Sequence, residues 1–560
     1  MQSNFMADTL ERSVAGVLTP LFALRGENDF GCGDTGALRG FIEWAAAHGF
    51  RCVQLLPVNE TGADHSPYNA ISSVAIEPTT IDLSAVPDLQ PSEIAEHHES
   101  ISAGPVRWRV VKAIKRTLML RAFANFTERH RKANDARAQQ FATFVKAESA
   151  WLDAYALFRV LAERHGSEQW DEWPAELRSF SSAQRNGAEI AQEIRFVQYV
   201  QWIAFTQWRE VRQFAGERGV VLMGDVPFGV NYYSADVWAQ PELFDLDWSG
   251  GAPPEPAFAD DEFTRRWGQN WGVPLYRWPA HRASGFAWWR QRVRKIEEAF
   301  HLFRIDHVLG FYRIYGFPWR PQRNAEFSAL TIEEALARTG GELPHYIEHA
   351  DDSPEHCAAN RAQGEEFLRV LQSEVGPHAL VGEDLGTVPD YVRPSLLSLG
   401  IPGFKVPQWE VGSDSRLTPG ADYTPCSVVT YATHDHEPLC AMWTRWMSII
   451  ATALEEPERL AVERDNAWRE ARRLAAWAGF IVPRILDFDE VHEFLIAALF
   501  RSRSRIAIVM ITDLLGTDQR FNVPGTVAAD NWSARLPENW ATLYAEKIQR
   551  IAALADYSGR

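Results

Sequence analysis

The sequence predicts an α/β protein: a closed (β/α)8 barrel, of the TIM type, carrying large loop and helical insertions. Three observations predict it. Short apolar runs recur, most ending in polar or glycine-containing segments; helical patterns separate many of them; and no GxGxxG turn follows any run. Near-continuous apolar strands alternating with helices mark a parallel sheet covered on both faces. Eight such runs match a closed barrel. An open doubly wound sheet is the alternative, and a GxGxxG after a strand would have favoured it.

The runs, in order, are Gly16–Leu18, Cys52–Pro57, Val220–Asp225, Phe303–Asp306, Ala379–Asp384, Gly403–Val406, Val428–Tyr431 and Ile506–Asp513. Helical patterns include Gly36–Ala47, Trp288–Phe300 and Glu365–Glu374. The spacing is uneven, which places the insertions within one catalytic domain spanning 1–560. Residues 58–219 separate the second and third runs; Thr61–Leu83 reads as loop and the later part as mostly helical. The basic stretch Arg107–Arg121 reads as a solvated helix face. Residues 228–300 form an expected active-site loop insertion, with Ser249–Pro279 rich in Pro, Gly and aromatics. A third insertion, 311–378, follows the fourth run.

Composition narrows the function. The chain has 560 residues, is 46% hydrophobic and 23% charged, and so can bury a large core. Its net charge of −18 argues against nucleic acid, whose phosphates need a basic face. No apolar run reaches membrane-spanning length, so no membrane association is expected. The opening MQSNFMADTLERSVAGVL lacks the basic-then-apolar order of a secretory signal. Five cysteines without a CxxC do not make a disulfide framework, and a reducing cytoplasm fits them. The 22 tryptophans lean towards sugar stacking as well as core filling.

Barrel chemistry sits at the C-terminal ends of strands. Those ends carry Asp225, Asp306, Glu383-Asp384, His434-Asp435 and Asp513. In Phe303-Arg304-Ile305-Asp306, residues i and i+2 of a strand share a face, so Arg304 looks into the same space as Asp306 and holds it ionised. So many acids at one rim repel unless some are paired or protonated, and carboxylates split in this way perform glycosyl transfer. One remains ionised as nucleophile and another stays protonated to serve the leaving oxygen. Only one of Glu383 and Asp384 can face the cleft, and spacing alone leaves both open.

The motifs PLFALR, GCGD, LLPVNETGADHSPYNAISSVAIEPTTIDL, GDVPFGVNYYSADVWAQPELFDLD, GQNWGVPLYRW, FRIDHVLGF, VGEDLG, YATHDHE and DLLGTDQRFNVPGT follow one another along the chain. Together and in order, they resemble the amylomaltases or disproportionating enzymes. These are 4-α-glucanotransferases of glycoside hydrolase family 77 in the α-amylase clan. The resemblance implies Asp306 as nucleophile, Glu383 as general acid/base and Asp435 as the carboxylate that holds sugar hydroxyls and stabilises the transition state. It implies Arg304 orienting Asp306, His434 hydrogen-bonded to the sugar at the cleavage point, and Tyr68 stacked beneath that ring. Gln269 and Trp271 match a loop over the donor glucan, and Asn522 a position lining the cleft. Maltooligosaccharides or α-1,4-glucans would be donor and acceptor. The segment after Gly251-Ala252-Pro253-Pro254 departs from the family pattern, with Phe258 as a candidate replacement for one of its usual aromatic rings.

No cofactor or metal is expected, since no oxygen-ligand loop is visible. Three other readings have discriminating tests. An α-1,4-glucan hydrolase would use the same carboxylates but yield no longer chains. A metallohydrolase ligating through His434, Asp435 and His436 would lose activity with a chelator. A non-catalytic glycan-binding protein would bind without turnover.

Overall fold

The computed structural model describes residues 12–98, 104–131, 135–184, 189–254, 262–455, 460–524 and 531–560. Eight parallel strands form the barrel: β1 (Val14–Leu18), β2 (Cys52–Gln54), β3 (Val221–Val226), β6 (Leu302–Ile305), β9 (Leu380–Gly382), β10 (Gly403–Lys405), β11 (Ser427–Val429) and β12 (Ile506–Met510). Each neighbours the next in chain order, and β12 returns to β1 with Val14 beside Ile506 and Leu18 beside Met510. The seam between β9 and β10 closes where Gly382 N–H donates to Pro402 O at 2.9 Å. All eight expected runs are barrel strands, and the open-sheet alternative falls. The apolar runs are buried throughout in β1, β2, β3, β6, β9, β11 and β12, as strands covered by helices must be.

The outer layer includes helices Thr35–Ala47, Ala191–Glu217, Ala287–Glu297, Pro354–Val375, Leu439–Glu455, Ala461–Ala478 and Phe488–Arg501. The first is started by Asp34, whose carboxylate accepts the Gly36 and Ala37 N–H groups. Between β2 and β3, helices Trp108–Phe126, Ala136–Ala147 and Ser149–His165 form a lateral bundle. The basic stretch is not wholly solvated. Lys115 is 1% exposed, pairs with Asp34 at 3.1 Å and donates to Thr79 O and Ile81 O at 2.7 Å each. A buried ammonium survives only when paired and hydrogen-bonded in this way; it fixes the bundle to the barrel.

Ser249–Pro279 is also more ordered than a loop. β4 (Phe244–Ala252) and β5 (Gln269–Tyr276) pair antiparallel, and β7 (Ile314–Phe317) and β8 (His345–Ile347) extend them in the order β5-β4-β7-β8. A small core of Phe263, Trp267, Phe317, Trp319 and Phe327 packs with this sheet, Trp319 stacking on Phe327 at 3.7 Å. Two segments that read as separate insertions therefore share one sheet. Phe258 lies outside the described residues.

Candidate active site

Asp306 follows the last residue of β6, at the C-terminal end of the barrel. Arg304, one pleat earlier on the same face, is 3% exposed. Its Nη2 reaches Asp306 Oδ1 at 2.9 Å, and its Nη1 reaches Asp225 Oδ1 and Oδ2 at 2.8 and 2.7 Å. Asp225 stands directly beside Arg304 in the parallel ladder of β3 and β6. The guanidinium fork thus holds two carboxylates at once, which an ammonium could not do in the same geometry. Burial pushes the Asp225 carboxyl up, and Arg304 opposes it.

The chain leaves β6 through His307, a non-glycine residue at φ 43°. That left-handed turn aims the His307 N–H at Glu383 Oε2, 2.8 Å away. Glu383 follows β9, the neighbour of β6. Burial pushes its carboxyl up to about 8; Arg304 opposes the shift and Asp306 adds to it. At neutral pH Glu383 therefore holds its proton. Asp384, the residue left open beside it, points away from the cleft: Arg393 Nε reaches its Oδ2 at 3.0 Å and Phe404 N–H its Oδ1 at 2.5 Å. The carboxylate occupies the space that a Cβ on Gly403 would enter.

Asp435 lies in the loop after β11. Burial alone would raise it, but His434 Nε2 at 3.1 Å from Oδ2 and the Asn522 amide at 2.7 Å from Oδ1 outweigh burial. They hold the carboxyl well below the usual range. Tyr68 donates its hydroxyl to Asp225 Oδ2 at 2.6 Å and stacks on the His434 ring at 4.6 Å with a 9° tilt. Tyr68, Asp225, Arg304, Asp306, His434, Asp435 and Asn522 are thus one connected network, and Glu383 joins it through His307.

Gln269 and Trp271 are on strand β5 rather than on an irregular loop. Trp271 Nε1 donates to Gln269 Oε1 at 3.1 Å, and its ring meets His307 edge-on at 4.8 Å. It is 40% exposed. Asp513 does not join the rim. β12 ends at Met510, so Asp513 sits inside the following helix, where its buried carboxylate accepts Leu439 N–H at 2.7 Å. Burial pushes it up to about 7. His434 and His436 do not converge on a common point either: His436 Nδ1 takes the Thr433 N–H and hydroxyl at 3.2 and 2.8 Å. Among the described residues, no group of three His, Cys, Asp or Glu side chains is placed to hold a metal ion.

The profile of the 4-alpha-glucanotransferase family of glycoside hydrolases matches residues 19–541. The chain belongs to this family. It is a glucan-transferring enzyme by that membership, and its relatives agree over nearly their whole lengths. The 4-alpha-glucanotransferase of Thermus thermophilus is 30% identical over 92% of this chain and 94% of its own. That of Chlamydia caviae is 29% identical over 93% and 90%. The amylomaltase of Streptococcus agalactiae, solved in complex with acarbose, superposes with a TM-score of 0.76 at 22% identity, covering 98% of this chain and all of its own. The last comparison bears on the fold alone, and it agrees with the barrel.

Three parts of this candidate site are not legible in the sequence. Asp225 was placed at the rim but not as the second partner of Arg304. His307, whose own pKa burial lowers to about 4, was not seen as the turn linking Asp306, Glu383 and Trp271. Trp409, in the short helical turn after β10, is 48% exposed and meets His436 edge-on at 4.7 Å. An exposed indole beside the Asp435 loop was detectable only once the barrel was closed.

Proposed function

We propose that this enzyme is a retaining transferase. It moves α-1,4-glucan segments from a maltooligosaccharide donor to a sugar hydroxyl through a covalent glucosyl-enzyme on Asp306. The observation that carries this reading is the pairing of two unlike carboxyls on adjacent strands. Asp306 is held by a buried guanidinium, while Glu383 is buried and keeps its proton to about pH 8. That division suits a nucleophile and a general acid.

In the first half-reaction, Asp306 attacks the anomeric carbon as Glu383 gives its proton to the departing glycosidic oxygen. The donor's reducing-end fragment leaves, and a β-linked glucosyl ester forms. Glu383, now ionised, takes the proton from the acceptor hydroxyl in the second half, restoring the α-linkage and the starting protonation state. Asp435, held ionised by His434 and Asn522, accepts hydrogen bonds from sugar hydroxyls that strengthen as positive charge develops on the ring. Tyr68 stacks beneath that sugar, and His434 hydrogen-bonds to it. Gln269 and Trp271 cover the donor side. The single domain spanning 1–560 supplies the barrel, and its insertions 228–300 and 311–378 build that cover.

The experiment is product analysis after incubation with maltotriose alone, with Asp306→Asn as control. Glucose together with maltopentaose and longer chains is expected, and none from Asp306→Asn. Glucose and maltose without longer products would instead indicate hydrolysis on the same barrel.

A further inference from the structure

Away from the catalytic rim, a cavity of about 930 Å³ lies between helices Ala461–Ala478 and Phe488–Arg501 and the segment Leu417–Ala421. Gly420 and Ser502 lie on the stretches that lead into β11 and β12, so the cavity sits towards the strand starts, opposite the end that carries Asp306. Conserving a barrel does not require a ligand there, since that face ordinarily serves stability. Its lining is nonetheless unusual for a chain of net charge −18: Arg416, Arg469, Arg472, Arg473 and Arg501 face a single carboxylate, Asp465.

Local ion pairs do not cancel that excess. Asp465 is already taken by Arg464 at 3.0 Å. Glu470 serves both Arg469 and Arg473, at 3.1 Å each. Arg416 has Asp414 at 3.8 Å, with both side chains mostly in solvent. Among the described residues, Arg472 and Arg501 meet no carboxylate. Arg472 instead lies over the face of Trp468 at 4.6 Å, which leaves its N–H edges free to donate. Trp477 lines the same cavity, anchored by its Nε1 to Thr418 O at 3.0 Å. Two polar atoms in the wall, Arg473 Nε and Ser502 Oγ, are buried without a hydrogen-bond partner among the described residues.

Neutral glucans call for aromatic faces and hydroxyl partners, not for uncompensated guanidinium charge. Clustered arginines with planar forks suit the tetrahedral oxygens of a phosphate, and the indoles suit a ring attached to it. The volume falls within the range of roughly 300–1,000 Å³ that encloses small organic ligands. We propose that this cavity binds an organic phosphate: a phosphate ester on a sugar or nucleoside ring, with the arginines on the phosphate and the ring against the tryptophans. The site is separate from the glucan cleft and does not depend on the mechanism assigned there.

The test is isothermal titration of the full chain with glucose 1-phosphate, ADP, inorganic phosphate and maltotriose. The same titrations are run on Arg472→Gln and Arg416→Gln, whose exposed side chains leave the fold and maltotriose disproportionation unchanged. One of the two esters is expected to bind, at least about tenfold more tightly than inorganic phosphate and about tenfold more weakly to each variant. Which ester binds identifies the source of the phosphate. The proposal is overturned if neither ester binds, if the variants bind unaltered, if inorganic phosphate binds as well as the esters, or if maltotriose displaces the ester.

Discussion

Replacing Glu383 with Gln should abolish transfer and stabilise the protein. Unfolded, the glutamate ionises near pH 4.5; folded, burial keeps its proton on to about pH 8. Between those values the folded chain binds a proton that the unfolded chain has released, so stability falls as pH rises through the window. At pH 7 this one side chain costs the fold about 3 kcal/mol, from about 1.4 kcal/mol for each pH unit above the unfolded value. Glutamine does not titrate, and its carbonyl oxygen can still accept the His307 N–H. An unfolding entropy of about 2 cal/mol/K per residue gives a chain of this length about 1.2 kcal/mol/K, so the gain corresponds to roughly 2–3 °C. Scanning calorimetry of both proteins from pH 5 to pH 8 reads this directly. The melting difference should be near zero at pH 5 and grow towards pH 8, and wild-type kcat/KM should fall above about pH 8. A difference independent of pH, or a variant that melts lower throughout, would refute the raised pKa and with it Glu383's place as the acid.

Arg304→Met should lose activity and about 3–5 kcal/mol of stability, because it leaves the buried Asp225 without its charge partner; denaturant melts check this, and a cost under about 1 kcal/mol would contradict the two-carboxylate fork. Trp271→Ala should raise KM for long donors by up to about tenfold, as expected for losing about 0.5–1.5 kcal/mol of ring contact, with little change in melting temperature. An equal loss on all donors with a large fall in melting temperature would return Trp271 to the core. Trp409→Ala should raise the yield of glucose relative to longer products from maltotriose by opening the rim beside Asp435 to water; an unchanged ratio would show that Trp409 does not shield that rim.

The barrel was legible because its strands are apolar on both faces and because each ends near a polar or glycine residue. The Arg304–Asp306 pair was legible for a simpler reason: both lie within the alternation of β6. That alternation gave no help at Glu383-Asp384, since β9 stops at Gly382 and the next residues are no longer pleated. What decides between them is the His307 turn on one side, remote in sequence, and on the other the Arg393 and Phe404 partners, which reach Asp384 only once the chain has folded back. Asp513 misled for the same reason, because the apolar run Ile506–Ile511 continues past the strand end into a helix. The antiparallel sheet was hidden by its composition. Gly250 and Gly251 on β4, and Gly272 and Pro274 on β5, weaken the strand signal; β5 pairs with β4, and β4 takes its second partner from the distant β7. Lys115 was indistinguishable from its solvated neighbours until Asp34 and the Thr79 and Ile81 carbonyls were brought to it.

The covalent glucosyl-enzyme on Asp306 is most directly tested by trapping it. Glu383→Gln is incubated with α-maltotriosyl fluoride, whose leaving group needs no protonation, and then digested and analysed by peptide mass spectrometry. The missing base should slow the second half-reaction, so the peptide containing Phe303-Arg304-Ile305-Asp306 should carry a maltotriosyl ester on Asp306. An unlabelled peptide with fluoride still released, or the ester on Asp435 or Asp225, would contradict Asp306 as the nucleophile.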